Sequence, residues 1–181
     1  MSKAIHPQPG QTIVTDQADL TLKVATREDA PTILEFIGKL AEYEKLSHEM
    51  TATVESLEQT LFGERPAAEV VLACWQGRPV GFALFFHNYS TFLGKPGIYL
   101  EDLFVDPDMR GRGIGKTLLT WLANLAVARG CGRLEWSVLD WNKPAIDFYR
   151  ALGSRAMDEW TVERLTGANL QALAGQFKGG G

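Results

Sequence analysis

Arg110, Gly111, Arg112, Gly113, Ile114 and Gly115 stand in a row and are the residues best suited to chemistry in this sequence. Glycines at alternate positions let backbone approach a ligand with no Cβ in the way. Successive N–H groups at the start of a helix form a cradle for an anion, and Arg110, Arg112 and Lys116 add positive charge around it. The chemistry this implies is phosphate binding. Two common phosphate loops are excluded. Gly115, Lys116 and Thr117 supply the end of a Walker loop, but its first glycine would fall on Arg110. A dinucleotide fingerprint begun at Gly111 and Gly113 would need a third glycine where Lys116 stands.

Glu101 and Asp102 are a second place where chemistry is suggested, because they interrupt an apolar stretch. Charges in a central strand cost free energy unless paired, so a reason for them is needed. In a regular strand adjacent residues point to opposite faces, and the two carboxylates then do separate jobs. His6, His48 and His87 show no ligand spacing, and no metal is expected.

These residues need elements to hold them. Residues 20–24 alternate and read as a strand. Thr26 and Asp29 resemble a capping box, followed by Ile33, Leu34, Ile37, Leu40 and Ala41 at helical spacing. A second helix is predicted over residues 53–62, ended by Gly63. Residues 69–75 and 80–86 read as two strands joined by a hairpin, and residues 97–105 as a third. The glycine loop then leads into a long helix to about residue 129, a strand over 133–139, and a short helix opened by Asn142, Lys143 and Pro144. Residues 155–164 read as a last strand, and a small helix lies near 168–173. This order predicts a mixed α/β domain over residues 20–175, with a flexible leader over 1–19 and a flexible tail over 176–181.

Composition narrows the function classes. An apolar content of 45% and a charged content of 22% fit a globular chain and not a disordered one. No apolar run reaches the roughly 20 residues of a membrane span, and the first twenty residues lack a secretory pattern. A net charge of −4 offers no basic field for nucleic acid and favours cationic partners. Cys74 and Cys131 form no disulfide framework, which suits free thiols and a cytoplasmic location.

The glycine loop resembles motif A of the GNAT superfamily of N-acetyltransferases. Tyr99, Leu100, Glu101, Asp102, Leu103, Phe104 and Val105 precede it, as that motif requires. Asn142, Lys143, Pro144, Ala145, Ile146, Asp147, Phe148 and Tyr149 follow and look like motif B. The spacing is similar to the diamine (spermidine/spermine) branch and its thialysine-acetylating relatives, over about residues 20–173. The resemblance implies a GNAT fold: a central, mostly antiparallel mixed sheet, splayed where acetyl-CoA binds and flanked by helices.

It also implies roles. Residues Arg110, Gly111, Arg112, Gly113, Ile114, Gly115 and Lys116 would grip the pyrophosphate of acetyl-CoA. Main-chain groups of Leu103, Phe104 and Val105 would pair with the pantetheine arm, the Leu103 N–H polarising the thioester carbonyl. Asn142, Lys143, Pro144 and Ala145 would complete the cofactor site, and Tyr149 would be the general acid for the departing sulfur. Glu101 would bind the substrate ammonium and accept its proton, while Asp102 would stabilise structure. Tyr43, Glu44, Asp140 and Glu159 (with Asp158 the other choice for that position) would line the amine site, and Glu42 would add charge. The implied reaction is direct transfer from acetyl-CoA to a primary amine of a diamine or polyamine, in a homodimer paired through the C-terminal strands. Alternatives are acetylation of thialysine, another amino acid or a protein amine, and a non-catalytic acyl-CoA-binding module.

Overall fold

The computed structural model describes residues 6–179. Residues 1–5 of the expected leader and 180–181 of the expected tail lie outside them. The chain forms two compact units, Met1–Ser137 and Val138–Gly181.

The first unit is built on a six-stranded sheet in sequence order. Its strands are β1 (Thr12–Val14), β2 (Leu20–Val24), β3 (Glu69–Trp75), β4 (Arg78–Ser90), β5 (Lys95–Val105) and β6 (Leu134–Trp136). Every neighbouring pair is antiparallel except β5 with β6, which is parallel. The leader segment is therefore not loose throughout, since Thr12, Ile13 and Val14 pair with Lys23, Leu22 and Thr21. Between β3 and β4 the turn is tighter than the sequence pattern suggests. Gln76 and Gly77 alone make it, both at positive φ (48° and 81°), the geometry that matches strand twist in a two-residue hairpin. Pro79 falls inside β4, and a register shift next to it relieves the ladder of the N–H that proline lacks.

Helices cover both faces of this sheet. Helix α1 (Ala30–Tyr43) starts after the Thr26 and Asp29 capping box, and α2 (Val54–Phe62) after a second box of Thr53 and Ser56. They pack with Val70, Leu72, Cys74, Phe82, Leu84 and Phe104 into one core, where Phe36 stacks on Phe82 at 5.7 Å. Helix α3 (Ile114–Ala128) turns Leu118, Leu122 and Leu125 inward. Its Trp121 meets Phe85 edge-on at 6.0 Å, and Phe85 alternates with Phe82 and Leu84 along β4, so α3 lies on the other face. This double cover explains why β3 is buried along five consecutive residues rather than alternately.

The second unit holds α4 (Lys143–Ala151), capped by Asn142, and α5 (Gly167–Ala174). Two expectations need correction. The strand predicted over 133–139 is confined to Leu134–Trp136, because its pairing with β5 ends at Leu100 and Trp136. The strand predicted over 155–164 does not form. Those residues are exposed and find no ladder partner among the described residues, and an extended segment gains nothing from alternation unless a neighbour takes its hydrogen bonds and its apolar face.

Candidate active site

The glycine loop is pinned at both ends by buried side chains. Asp106 closes β5, donates its N–H to the Val80 carbonyl at 2.9 Å, and accepts from Lys39 of α1 at 3.0 Å. Met109 and Ile114 are buried on either side of the exposed residues 110–113. Gly111 and Gly113 take φ of 76° and 81°, the left-handed region that glycine tolerates and other residues rarely enter. Gly113 is also the N-cap of α3, and no side chain caps it. The first-turn N–H groups of α3 are therefore left to another acceptor, which is how a helix start binds an anion.

The loop cations are arranged on aromatic rings. The Arg110 guanidinium lies 4.8 Å from the ring centre of Tyr43 and donates from Nε to the Val105 carbonyl at 3.2 Å. Arg112 lies 5.4 Å from the Trp75 ring, and Lys116 is exposed. Tyr43, expected at the amine site, thus touches a residue expected at the phosphate.

Leu103, Phe104 and Val105 pair with Ala83, Phe82 and Gly81 of β4. Gly81 is required there, since a Cβ would sit 2.5 Å from the Phe104 carbonyl oxygen. On the other side β6 pairs only with Ile98, Tyr99 and Leu100. From residue 101 onward β5 has no strand on that edge among the described residues. The backbone groups facing that edge have no ladder partner among the described residues, directly before the glycine loop.

The two carboxylates of β5 are not arranged as a regular strand predicts. Leu84 pairs with Asp102 and Phe85 with Leu100, which leaves Glu101 as the extra residue of a bulge. Glu101 is exposed, while Asp102 is half-buried and no hydrogen bond or ion pair holds its carboxylate among the described residues. Burial first, then the nearby Glu101 and Glu44, push the Asp102 carboxyl up to about 6. Glu44 at the end of α1 is itself raised by burial. Asp102 is therefore no stabilising charge, as sequence reasoning had it, and it belongs with Glu44 and Glu101 in one acidic group. The bulge that brings this about has no signature in the sequence. Glu42 is exposed.

The remaining expected residues lie in the second unit. Asn142 is buried and its Oδ1 accepts from the Ala145 N–H at 3.4 Å, so it caps α4. Pro144 sits in the first turn, where its missing N–H is harmless. Lys143 pairs with Asp147 at 2.8 Å, one turn along the helix. Tyr149 is half-buried, its ring 5.4 Å from that of Phe148. Asp140 and Glu159 are exposed. Among the described residues no group of three or more His, Cys, Asp or Glu side chains is arranged to hold a metal, and no helix is long and apolar enough to cross a membrane.

A phosphate-type loop on an α/β sheet that splays between parallel neighbours defines a class, and comparison with known proteins gives the same one. The Acetyltransferase (GNAT) family matches residues 37–153, and the chain belongs to that family. It is an acetyltransferase. Among its relatives, thialysine N-epsilon-acetyltransferase of Bos taurus is 40% identical, the alignment covering 88% of this chain and 99% of that protein. L-ornithine N5-acetyltransferase of Arabidopsis thaliana is 34% identical, over 84% of this chain and 86% of that protein. An integron cassette protein from the mobile metagenome of V. cholerae superposes with a TM-score of 0.74 at 25% identity, covering 87% of this chain and 99% of that one.

Proposed function

We propose that this enzyme moves the acetyl group of acetyl-CoA directly to a terminal primary amine of a small cationic substrate. The observation that carries the reading is the open edge of β5 running into an uncapped, glycine-lined start of α3. A ligand with amides at one end and phosphates at the other matches that sequence of groups. The loop residues 110–116 hold the pyrophosphate in this reading, and the main chain of Leu103, Phe104 and Val105 takes the pantetheine amides, with Asn142, Lys143, Pro144 and Ala145 as further cofactor contacts.

The neutral amine nitrogen attacks the thioester carbon, the C–S bond breaks, and the thiolate receives a proton from the Tyr149 hydroxyl. A main-chain N–H, that of Leu103, steadies the charge on the carbonyl oxygen. Glu101 takes the proton lost by the amine. Glu44, Glu101 and Asp102 repel one another, and a cation relieves that repulsion, which favours a diamine or polyamine with a second ammonium as its handle. Tyr43, Asp140 and Glu159 complete the amine site in this reading. A second reading is favoured by the relatives named for thialysine and L-ornithine: an amino acid acetylated on its side-chain amine. The enzyme acts as a homodimer, which would cover the apolar Trp160, Val162, Leu170 and Leu173 that this chain leaves exposed. Free Cys74 and Cys131 suit a cytoplasmic setting.

The test is thiol release from acetyl-CoA with spermidine, a short diamine, thialysine and ornithine at equal concentration. Preference for the diamine or polyamine supports the first reading, and preference for thialysine or ornithine replaces it with the second. Tyr149→Phe keeps the ring and deletes the proton donor, so turnover falls about 10²-fold. Wild-type turnover in that variant makes Tyr149 a packing residue.

A further inference from the structure

Gln17 belongs to the segment before β2, 100 residues from Thr117 in sequence, and it lies against the glycine loop. A Cβ placed on Gly113 would sit 3.1 Å from the Gln17 side-chain nitrogen, so the carboxamide lies directly over the N-cap of α3. The same nitrogen donates to the Thr117 hydroxyl in the first turn of α3, at a long 3.5 Å. That is the one hydrogen bond the Nε2 donor makes among the described residues, and a contact of this length contributes little. The backbone behind it is fixed more firmly. The Thr15 hydroxyl accepts from the Gln17 N–H at 3.1 Å and donates to the Leu20 carbonyl at 2.7 Å. β1 is in turn laddered to β2.

An amide with two N–H donors, one of them weakly engaged, is thus held beside N–H groups that face no protein acceptor. We infer that Gln17 is part of the phosphate cradle, donating a side-chain hydrogen bond to the acetyl-CoA phosphate seated on Gly113 and the start of α3. This rests on the reading of the glycine loop as the phosphate site and adds to it a residue from outside the motif. The segment carrying β1 then has a role in cofactor binding rather than only in closing the sheet edge.

Acetyl-CoA affinity by calorimetry, for Gln17→Ala, Gln17→Glu and Gly113→Asp, tests this. Gln17→Ala weakens binding about tenfold, the scale of one hydrogen bond to a charged group, and Gln17→Glu weakens it more by setting a carboxylate against phosphate. A second readout separates phosphate contact from general damage. S-acetylpantetheine carries the thioester and lacks every phosphate, so the preference for acetyl-CoA over it, as a ratio of kcat/KM, also falls about tenfold in Gln17→Ala. Equal losses with both donors would make Gln17 a structural residue and overturn the inference. Unchanged acetyl-CoA affinity in Gln17→Glu, with a loss in Gly113→Asp, would overturn it while leaving the loop assignment standing. Unchanged affinity in folded Gly113→Asp would remove the loop assignment itself and this inference with it.

Discussion

Phe82 and Trp160 are both large aromatic residues, and they sit in opposite situations. Phe82 is fully buried on β4, stacked on Phe36 and flanked by β3 and β5, so both its side chain and its backbone are satisfied by neighbours. Trp160 is 68% exposed, in a stretch where no strand forms and where Met157, Val162 and Leu165 are exposed as well. Apolar character is similar in the two places. What differs is the supply of partners, and a strand is a property of a pair. The central strands bring their partners with them in consecutive hairpins, whereas residues 155–164 must find theirs at a distance.

This contrast can be broken by measurement. Phe82→Ala removes a fully buried ring and costs about 3–5 kcal/mol by chemical denaturation. A cost below about 1 kcal/mol would mean that the core around Phe36 and Phe104 is not continuous. The next effect in size is at Asp102, a half-buried group beside that core on β5 which works against it. Its carboxyl is raised to about 6, so the folded chain binds the proton more tightly than the unfolded one. Stability therefore falls as pH rises from the ordinary carboxyl range, about 4, to about 6, and the penalty is complete above that. Asp102→Asn removes it, giving up to about 3 kcal/mol of added stability at pH 7.5 and almost none at pH 4. Equal effects at both pH values would show that ionisation is not the cause.

The smallest effect is expected at Trp160. In dilute protein, where chains are separate, Trp160→Ser changes the unfolding free energy by less than about 0.5 kcal/mol, because the side chain is mostly in water. At high concentration, light scattering gives a particle near twice 20.0 kDa for the parent and a shift toward the single chain for the variant. A large loss of stability in dilute protein would place Trp160 in a packed site of its own chain. A parent that remains at 20.0 kDa at micromolar concentration would remove the homodimer.

Much of the molecule was legible in the residues. Thr26 with Asp29, Thr53 with Gly63, and Asn142 with Pro144 mark helix ends by local hydrogen bonding and backbone geometry, and local rules are written locally. The glycine loop was legible for the same reason, since only backbone freedom explains glycines at 111 and 113, and both take positive φ. The apolar runs over residues 69–75 and 80–86 read as two strands of a hairpin, and both strands form.

The rest was settled by contacts between distant residues. Alternation predicted that Glu101 and Asp102 would act apart, and a bulge against β4 instead set Asp102 in a half-buried place under the influence of Glu101 and Glu44. Gln17 looked like part of a loose leader, and the pairing of β1 with β2 brought it to Gly113. The strand expected over 133–139 stopped at Trp136, where its ladder with β5 ends, and this leaves the edge of β5 where the ligand is proposed to bind. Sequence by itself determined most of the elements, the glycine conformations before α3 and the family, because caps, glycine conformations and apolar periodicity act within a few residues. Tertiary structure alone decided which strands keep a partner and how far each carboxyl is buried, because pairing, desolvation and Coulomb interactions depend on distances in space and not on separation along the chain.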